Sequence, residues 1–356
     1  MNSQFAVVSS ILMTVVQGAA QVAPAPRAEP PNEISPYLKP QHLVPIAGGR
    51  TINLVCLGEG SPTVVLTAGL GGWSLVWNQV QPPLSRSTRV CAWDPAGLGF
   101  SSPSPESQDA AHETEDLEQV LNGAHLDGPY VMVAHSAGAY IALRFADQHR
   151  RTVAGMVLVD PAIPDQDAVR KRVAPKFAAF GAAGPSADVE RLRQCAAGIR
   201  SGTVKRGTPE FGRCTAPLPL PDAFSSLTVQ LTQLNADPVR LLTQASAIAN
   251  ASSQSGIEAI NPRRRYGDMP MIVLTAGSHP MPPSVPAEVR EQAELYFQAL
   301  ASGHDEYAAL SARGRRRTVP DSGHLIQLED PAAVTDAINN VLAESKPKPH
   351  NQSTGR

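Results

Sequence analysis

A serine placed to react stands in the run Val131-Met132-Val133-Ala134-His135-Ser136-Ala137-Gly138-Ala139. The residues before Ser136 are apolar and strand-like, those after it are helical, and small residues stand two before and two after. Such a junction turns sharply and lifts the hydroxyl clear of the sheet, and bulk at Ala134 or Gly138 would clash. The helix that follows aims unpaired N–H groups at the place where an oxyanion would develop, so the Ala137 N–H is a candidate donor. A serine hydroxyl is a weak nucleophile and needs a base that a third group orients. Pro320-Asp321-Ser322-Gly323-His324 offers that base, in a turn between a short strand and the last helix. From a turn, one ring nitrogen can face the serine while the other faces a carboxylate.

Two residues compete to be the acid. Val157-Leu158-Val159-Asp160-Pro161 puts Asp160 at the C-terminal end of a buried strand, on the same edge as Ser136. Glu288 is the runner-up, at a greater distance from a strand end. Asp268 precedes its strand and so falls at the opposite edge, and the loop Thr275-Ala276-Gly277-Ser278-His279-Pro280-Met281 holds no carboxylate. The other histidines lack the i,i+4 spacing of a zinc site, and no metal is expected.

Taken in order, these motifs resemble the α/β-hydrolase superfamily. Its G-x-S-x-G element stands here as Ala134-His135-Ser136-Ala137-Gly138, with alanine in the first place. The glycine-rich Leu66-Thr67-Ala68-Gly69-Leu70-Gly71-Gly72-Trp73 lies where the family keeps its second oxyanion donor, which implies the Leu70 N–H. Asp94-Pro95-Ala96-Gly97-Leu98-Gly99-Phe100-Ser101 looks like a D-x-x-G-x-G-x-S loop whose role is structural, so Asp94 is not assigned to the triad. Some members carry the acid one strand early, which matches Asp160. His135 is assigned to packing.

The resemblance implies an α/β-hydrolase fold: a mostly parallel, doubly wound sheet of about eight strands with an inserted helical lid. It implies a serine hydrolase that cleaves a carboxylic ester through an acyl-enzyme. Ser136 would be nucleophile, His324 base and Asp160 acid, with Leu70 and Ala137 at the oxyanion. No metal or organic cofactor would be needed, and the partner would be a small-molecule acyl substrate. Serine at the elbow disfavours the dehalogenase and epoxide-hydrolase branches, which need a carboxylate nucleophile. An amidase or peptidase, an acyltransferase, a cofactor-free haloperoxidase and a non-catalytic binding protein of the same fold remain alternatives. A carboxylate within hydrogen-bonding reach of His324 would separate the last of these from an enzyme.

The elements that must position these groups are legible as alternating runs. Thr51–Leu57, Thr63–Thr67, Arg89–Trp93, Tyr130–Ala134, Gly155–Val159 and Met271–Thr275 read as strands. Glu113–Leu121, Ala137–His149 and a last helix opening at Pro331 read as helices. Short all-apolar strands alternating with helices imply a parallel sheet covered on both faces. Residues 51–160 and 266–345 form this expected core, and residues 161–265 break the rhythm as a helical, proline-punctuated lid. Its apolar residues Phe177, Phe180, Phe224 and Leu227 fit either an apolar substrate group or core packing. Residues 21–50 are expected as a proline-rich extended lead-in that forms no helix, and residues 346–356 as a disordered tail.

With 356 residues, 42% of them hydrophobic, the chain can bury a sizeable core. A net charge of −2 offers no basic face for nucleic acid, and the arginines Arg315 to Arg317 are expected to flank a surface strand. Phe5–Val16 is an apolar run followed by Gly18, Ala19 and Ala20, which reads as a signal peptide over residues 1–20. No other run is long and apolar enough to span a membrane. The expected location is therefore secreted or periplasmic. There the cysteines Cys56, Cys91, Cys195 and Cys214 can pair, with Cys195–Cys214 favoured, while Cys56 and Cys91 could equally be buried thiols. The oligomeric state stays open.

Overall fold

The computed structural model describes residues 34–181, 183–216, 225–251 and 253–345. The expected signal peptide, the first part of the proline-rich stretch, Phe224 and the C-terminal tail lie outside them.

Eight strands form one sheet in the order β1-β2-β4-β3-β5-β6-β7-β8. They are β1 (His42–Ile46), β2 (Arg50–Leu57), β3 (Thr63–Thr67), β4 (Val90–Trp93), β5 (Tyr130–His135), β6 (Val153–Val159), β7 (Met271–Ala276) and β8 (Gly314–Val319). The β1–β2 and β2–β4 pairs are antiparallel, and every other neighbour is parallel. β3, β4, β5 and β7 are buried at every residue, as strands covered on both faces must be.

Side-chain alternation divides the core in two. Met132 and Ala134 face a layer that includes α2 (Ala110–Gly123), α3 (Gly138–Gln148) and α11 (Ala287–Ala308). Val131 and Val133 face the other layer, with α1 (Gln81–Leu84) and α13 (Pro331–Ser345). Short α12 (Ile326–Glu329) packs beside α13. Between β6 and β7 the chain forms α4 (Gln166–Val173), α5 (Pro175–Gly181), α6 (Ala183–Ser201), α7 (Pro209–Thr215), α8 (Ser225–Leu234), α9 (Pro238–Ala251) and α10 (Gln254–Glu258).

Two expectations need correction, and one alternative is decided. The lead-in does not merely extend toward the domain: residues 42–46 pair with β2 as an edge strand, and Ser35–Tyr37 makes a short 3-10 helix. Proline at Pro45 is tolerated because an edge strand has one unpaired side. Arg315 to Arg317 do not flank a strand but lie within β8, the opposite edge. Arg315 reaches Glu344 of α13 and Arg316 reaches Asp305 of α11, so the strand's period of two sends alternate arginines to opposite helices. Of the two states left open, Cys56 and Cys91 take the disulfide. They stand opposite each other across β2 and β4 and are bonded, as are Cys195 and Cys214 between α6 and α7.

Candidate active site

Four neighbouring parallel strands deliver the candidate residues to one edge of the sheet. Ser136 follows β5 directly, Asp160 follows β6, Ala276 closes β7, and His324 lies in the loop after β8. Ser136 takes φ 51°, a left-handed conformation rare for a residue with a side chain. Its strain is held by hydrogen bonds, because the Ser136 N–H donates to the Val159 carbonyl and its own carbonyl accepts from Ala162. A Cβ at Gly138 would lie 2.4 Å from the Ala68 carbonyl oxygen, and one at Gly69 would lie 2.8 Å from the Ser136 Cβ. Only glycine lets those backbones approach.

The His324 Nε2 lies 3.0 Å from the Ser136 Oγ, and its Nδ1 lies 2.7 Å from the Asp160 Oδ2. The other Asp160 oxygen accepts from the Ala276 N–H at 2.9 Å. Burial opposes ionisation of Asp160, yet the His324 hydrogen bond and charge, with the Ala276 N–H, hold it below the usual aspartate range. It therefore stays a carboxylate across the neutral range. Glu288 is elsewhere: it is exposed in the first turn of α11 and pairs with Lys176.

Leu70 and Ala137 border one cavity. Among the described residues, neither backbone N–H has an acceptor within the chain. Asp94 is wholly buried and accepts from Asn53, Ser74 and Phe100, which ties its loop to β2 and to the glycine-rich loop. Burial raises its pKa and those donors oppose the rise. Of the apolar residues between β6 and β7, Leu227 packs in a core cluster with Tyr37, Val55 and Trp73, and Phe177 packs on Tyr296 and Phe297.

Two histidines do more than sequence reasoning assigned them. The His135 ring is buried, which with the nearby His324 charge pushes its pKa down to about 3. As a neutral ring, its Nε2–H donates to the His324 carbonyl at 2.9 Å and so holds the backbone of that loop. His304 of α11 is completely buried. Its Nε2–H donates to the Pro161 carbonyl at 2.8 Å, and its Nδ1 accepts from the Thr275 hydroxyl at 2.9 Å. Burial lowers its pKa, so it bridges the ends of β6 and β7 as a neutral group. Adjacency to Ser136 was a signal for His135; nothing local marked His304.

A family model described as the alpha/beta hydrolase family matches residues 64–337. The chain belongs to the alpha/beta hydrolase family. Among curated proteins, this hydrolase-family chain is 33% identical over 108 residues to the uncharacterized protein YqjL of Bacillus subtilis. That match covers 30% of this chain and 43% of YqjL, so the chain spans less than half of that relative's length. The fold is similar to a thermophilic esterase from Thermogutta terrifontis, at 21% identity and TM-score 0.50, over 86% of this chain and 98% of that one. It is also similar to a haloalkane dehalogenase from Agrobacterium tumefaciens C58, at 16% identity and TM-score 0.57, over 85% of this chain and 95% of that one. An esterase and a dehalogenase on one fold show that the architecture does not select the reaction. Among the described residues no helix is long and apolar enough to cross a membrane.

Proposed function

We propose that this alpha/beta hydrolase family member is a serine hydrolase that cleaves a carboxylic ester, or a related acyl compound, through an acyl-enzyme. The observation that carries the reading is the unbroken hydrogen-bonded chain from the Ser136 Oγ through His324 to Asp160. A carboxylate in contact with His324 also favours an enzyme over a binding protein of the same fold.

The Ser136 Oγ attacks the acyl carbon while its proton passes to the His324 Nε2. The carbonyl π electrons move onto oxygen, and the Leu70 and Ala137 N–H groups stabilise the oxyanion. Asp160 keeps the Nδ1–H in place and balances the imidazolium charge. The intermediate collapses, the alkoxide leaves, and it takes the proton from Nε2. Water then attacks the acyl-enzyme and gives its proton to Nε2. The second collapse frees the acid, and Oγ recovers the proton.

We further propose that the chain is exported, with its first 20 residues as the signal. The two disulfides support this, since cytosolic thiols are kept reduced. Fluorophosphonate labelling of the purified chain tests the catalytic reading. Wild type should label and Ser136→Ala should not. A folded wild type that stays unlabelled would sink it.

A further inference from the structure

The cavity bordered by Leu70 and Ala137 is partly open to solvent, and much of its wall is small or apolar, including Ala68, Ile141, Ala247 and Ala251. Two acceptors interrupt that wall. Glu113 of α2 lines the cavity and retains some exposed surface. Among the described residues it has no hydrogen-bond or ion-pair partner. It does not cap its helix, because Asp109 accepts from the His112 N–H in that role. Gln108 also lines the cavity and is only 2% exposed. Its Nε2 donates to the Glu106 and Ser107 carbonyls, which leaves Oε1 buried without a donor.

Gln108 Oε1 is a buried acceptor left without a donor, and Glu113 is a partly exposed carboxyl without a counter-charge, so the wall favours a ligand that brings a cationic donor. The other polar side chains of the wall are engaged: Tyr140 donates to the Ile163 carbonyl, and Ser255 accepts from the Ala110 N–H. Among the described residues, no lysine, arginine or histidine lines the cavity. Of the cations nearby, Arg50 pairs with Asp116 and His112 with Asp109, while Arg144 donates to the Glu258 carbonyl. The local field is negative. Burial first, then the charges of Asp116 and Asp109, push the Glu113 carboxyl up to about 8. A carboxyl held protonated for want of a counter-charge ionises when a cation arrives, and its proton passes to solvent.

We propose that this cavity is a substrate subsite for a primary ammonium group, received by the Glu113 carboxylate beside the Leu70 and Ala137 donors. The inference rests on the reading of Ser136 as nucleophile and adds the substrate class: acyl compounds that carry a cationic amine.

Two matched pairs of esters test it. On the acyl side, p-nitrophenyl 6-aminohexanoate and p-nitrophenyl heptanoate differ only by a terminal ammonium in place of a methyl. On the alcohol side, 6-aminohexyl acetate and heptyl acetate differ in the same way. In at least one pair the ammonium ester should show a kcat/KM at least tenfold higher, and Glu113→Gln should lower that ratio at least tenfold. A ratio is independent of how much of either protein is folded. Parity or alkyl preference in both pairs, or a preference that survives Glu113→Gln, overturns the subsite. Fluorophosphonate labelling runs beside these assays. Labelling without ammonium preference sinks the subsite alone, whereas no labelling sinks the Ser136 reading. If neither pair is turned over, thermal unfolding with n-hexylammonium chloride against sodium chloride decides. A midpoint raised in wild type and not in Glu113→Gln sustains the subsite, and no difference between the two proteins overturns it.

Discussion

At the scale of single residues, Asp160 and Glu113 show how surroundings assign opposite roles to carboxyls. Asp160 meets two donors, and they outweigh its burial. Asp160→Asn keeps the shape but loses the charge that balances the imidazolium. It should lower kcat on a p-nitrophenyl ester by on the order of 10⁴-fold while the fold survives. A loss under tenfold would mean that another group orients His324. Burial, then the charges of Asp116 and Asp109, raise Glu113 from the usual 4.5 to about 8. Between those values the folded chain holds a proton that the unfolded chain has released, so stability drains away as pH rises through that window and levels off above it. Glu113→Gln removes this drain. Its melting temperature should exceed that of wild type by a margin that grows from pH 5 to pH 8. A margin that stays flat would show a solvated carboxyl.

At the scale of elements, α9 is anchored to the loop beneath it. Arg240 is buried and donates to the carbonyls of Ser101 and Gly99, while Thr243 and Gln244 bond Ser104 and Gly97. Burial pushes the Arg240 guanidinium down to about 10, though the charges of Asp94 and Asp237 resist this. The same helix supplies Ala247 and Ala251 to the cavity, so the anchor also shapes the substrate side of the site. Arg240→Ala leaves these carbonyls unpaired. It should cost about 2–3 kcal/mol, read as a lower urea midpoint with an unchanged slope. Unchanged stability would mean that α9 docks through its apolar face alone.

For the whole molecule, the two disulfides act on different bodies. Cys56–Cys91 ties two strands of the sheet, and Cys195–Cys214 ties two helices of the segment between β6 and β7. They close loops of 35 and 19 residues, so replacing either pair with serines should cost about 3–4 kcal/mol by the loop-entropy argument. Differential scanning calorimetry of each double variant measures this. A pair whose loss leaves the melting temperature unaltered contributes nothing to the folded state.

Legibility in the sequence followed the range of the interaction. The apolar strands, the helix that opens at Pro331 and the sharp turn at Ser136 are local, and each depends on residues within a few positions. The family's order of motifs likewise pointed to the sheet edge where Ser136, His324 and Asp160 meet. What waited for tertiary structure was everything that depends on distance across the chain. Asp160 and Glu288 both stand in plausible order, but only the packed sheet puts one of them 2.7 Å from a residue 164 positions away. Cys56 and Cys91 pair because antiparallel register sets them opposite each other. His304 and Glu113 sit in ordinary helical sequence. One bridges strand ends and the other lines a cavity because of which way each helix faces the sheet. Hydrophobic period specifies that a helix has a buried face, but what that face meets is decided when the layers close.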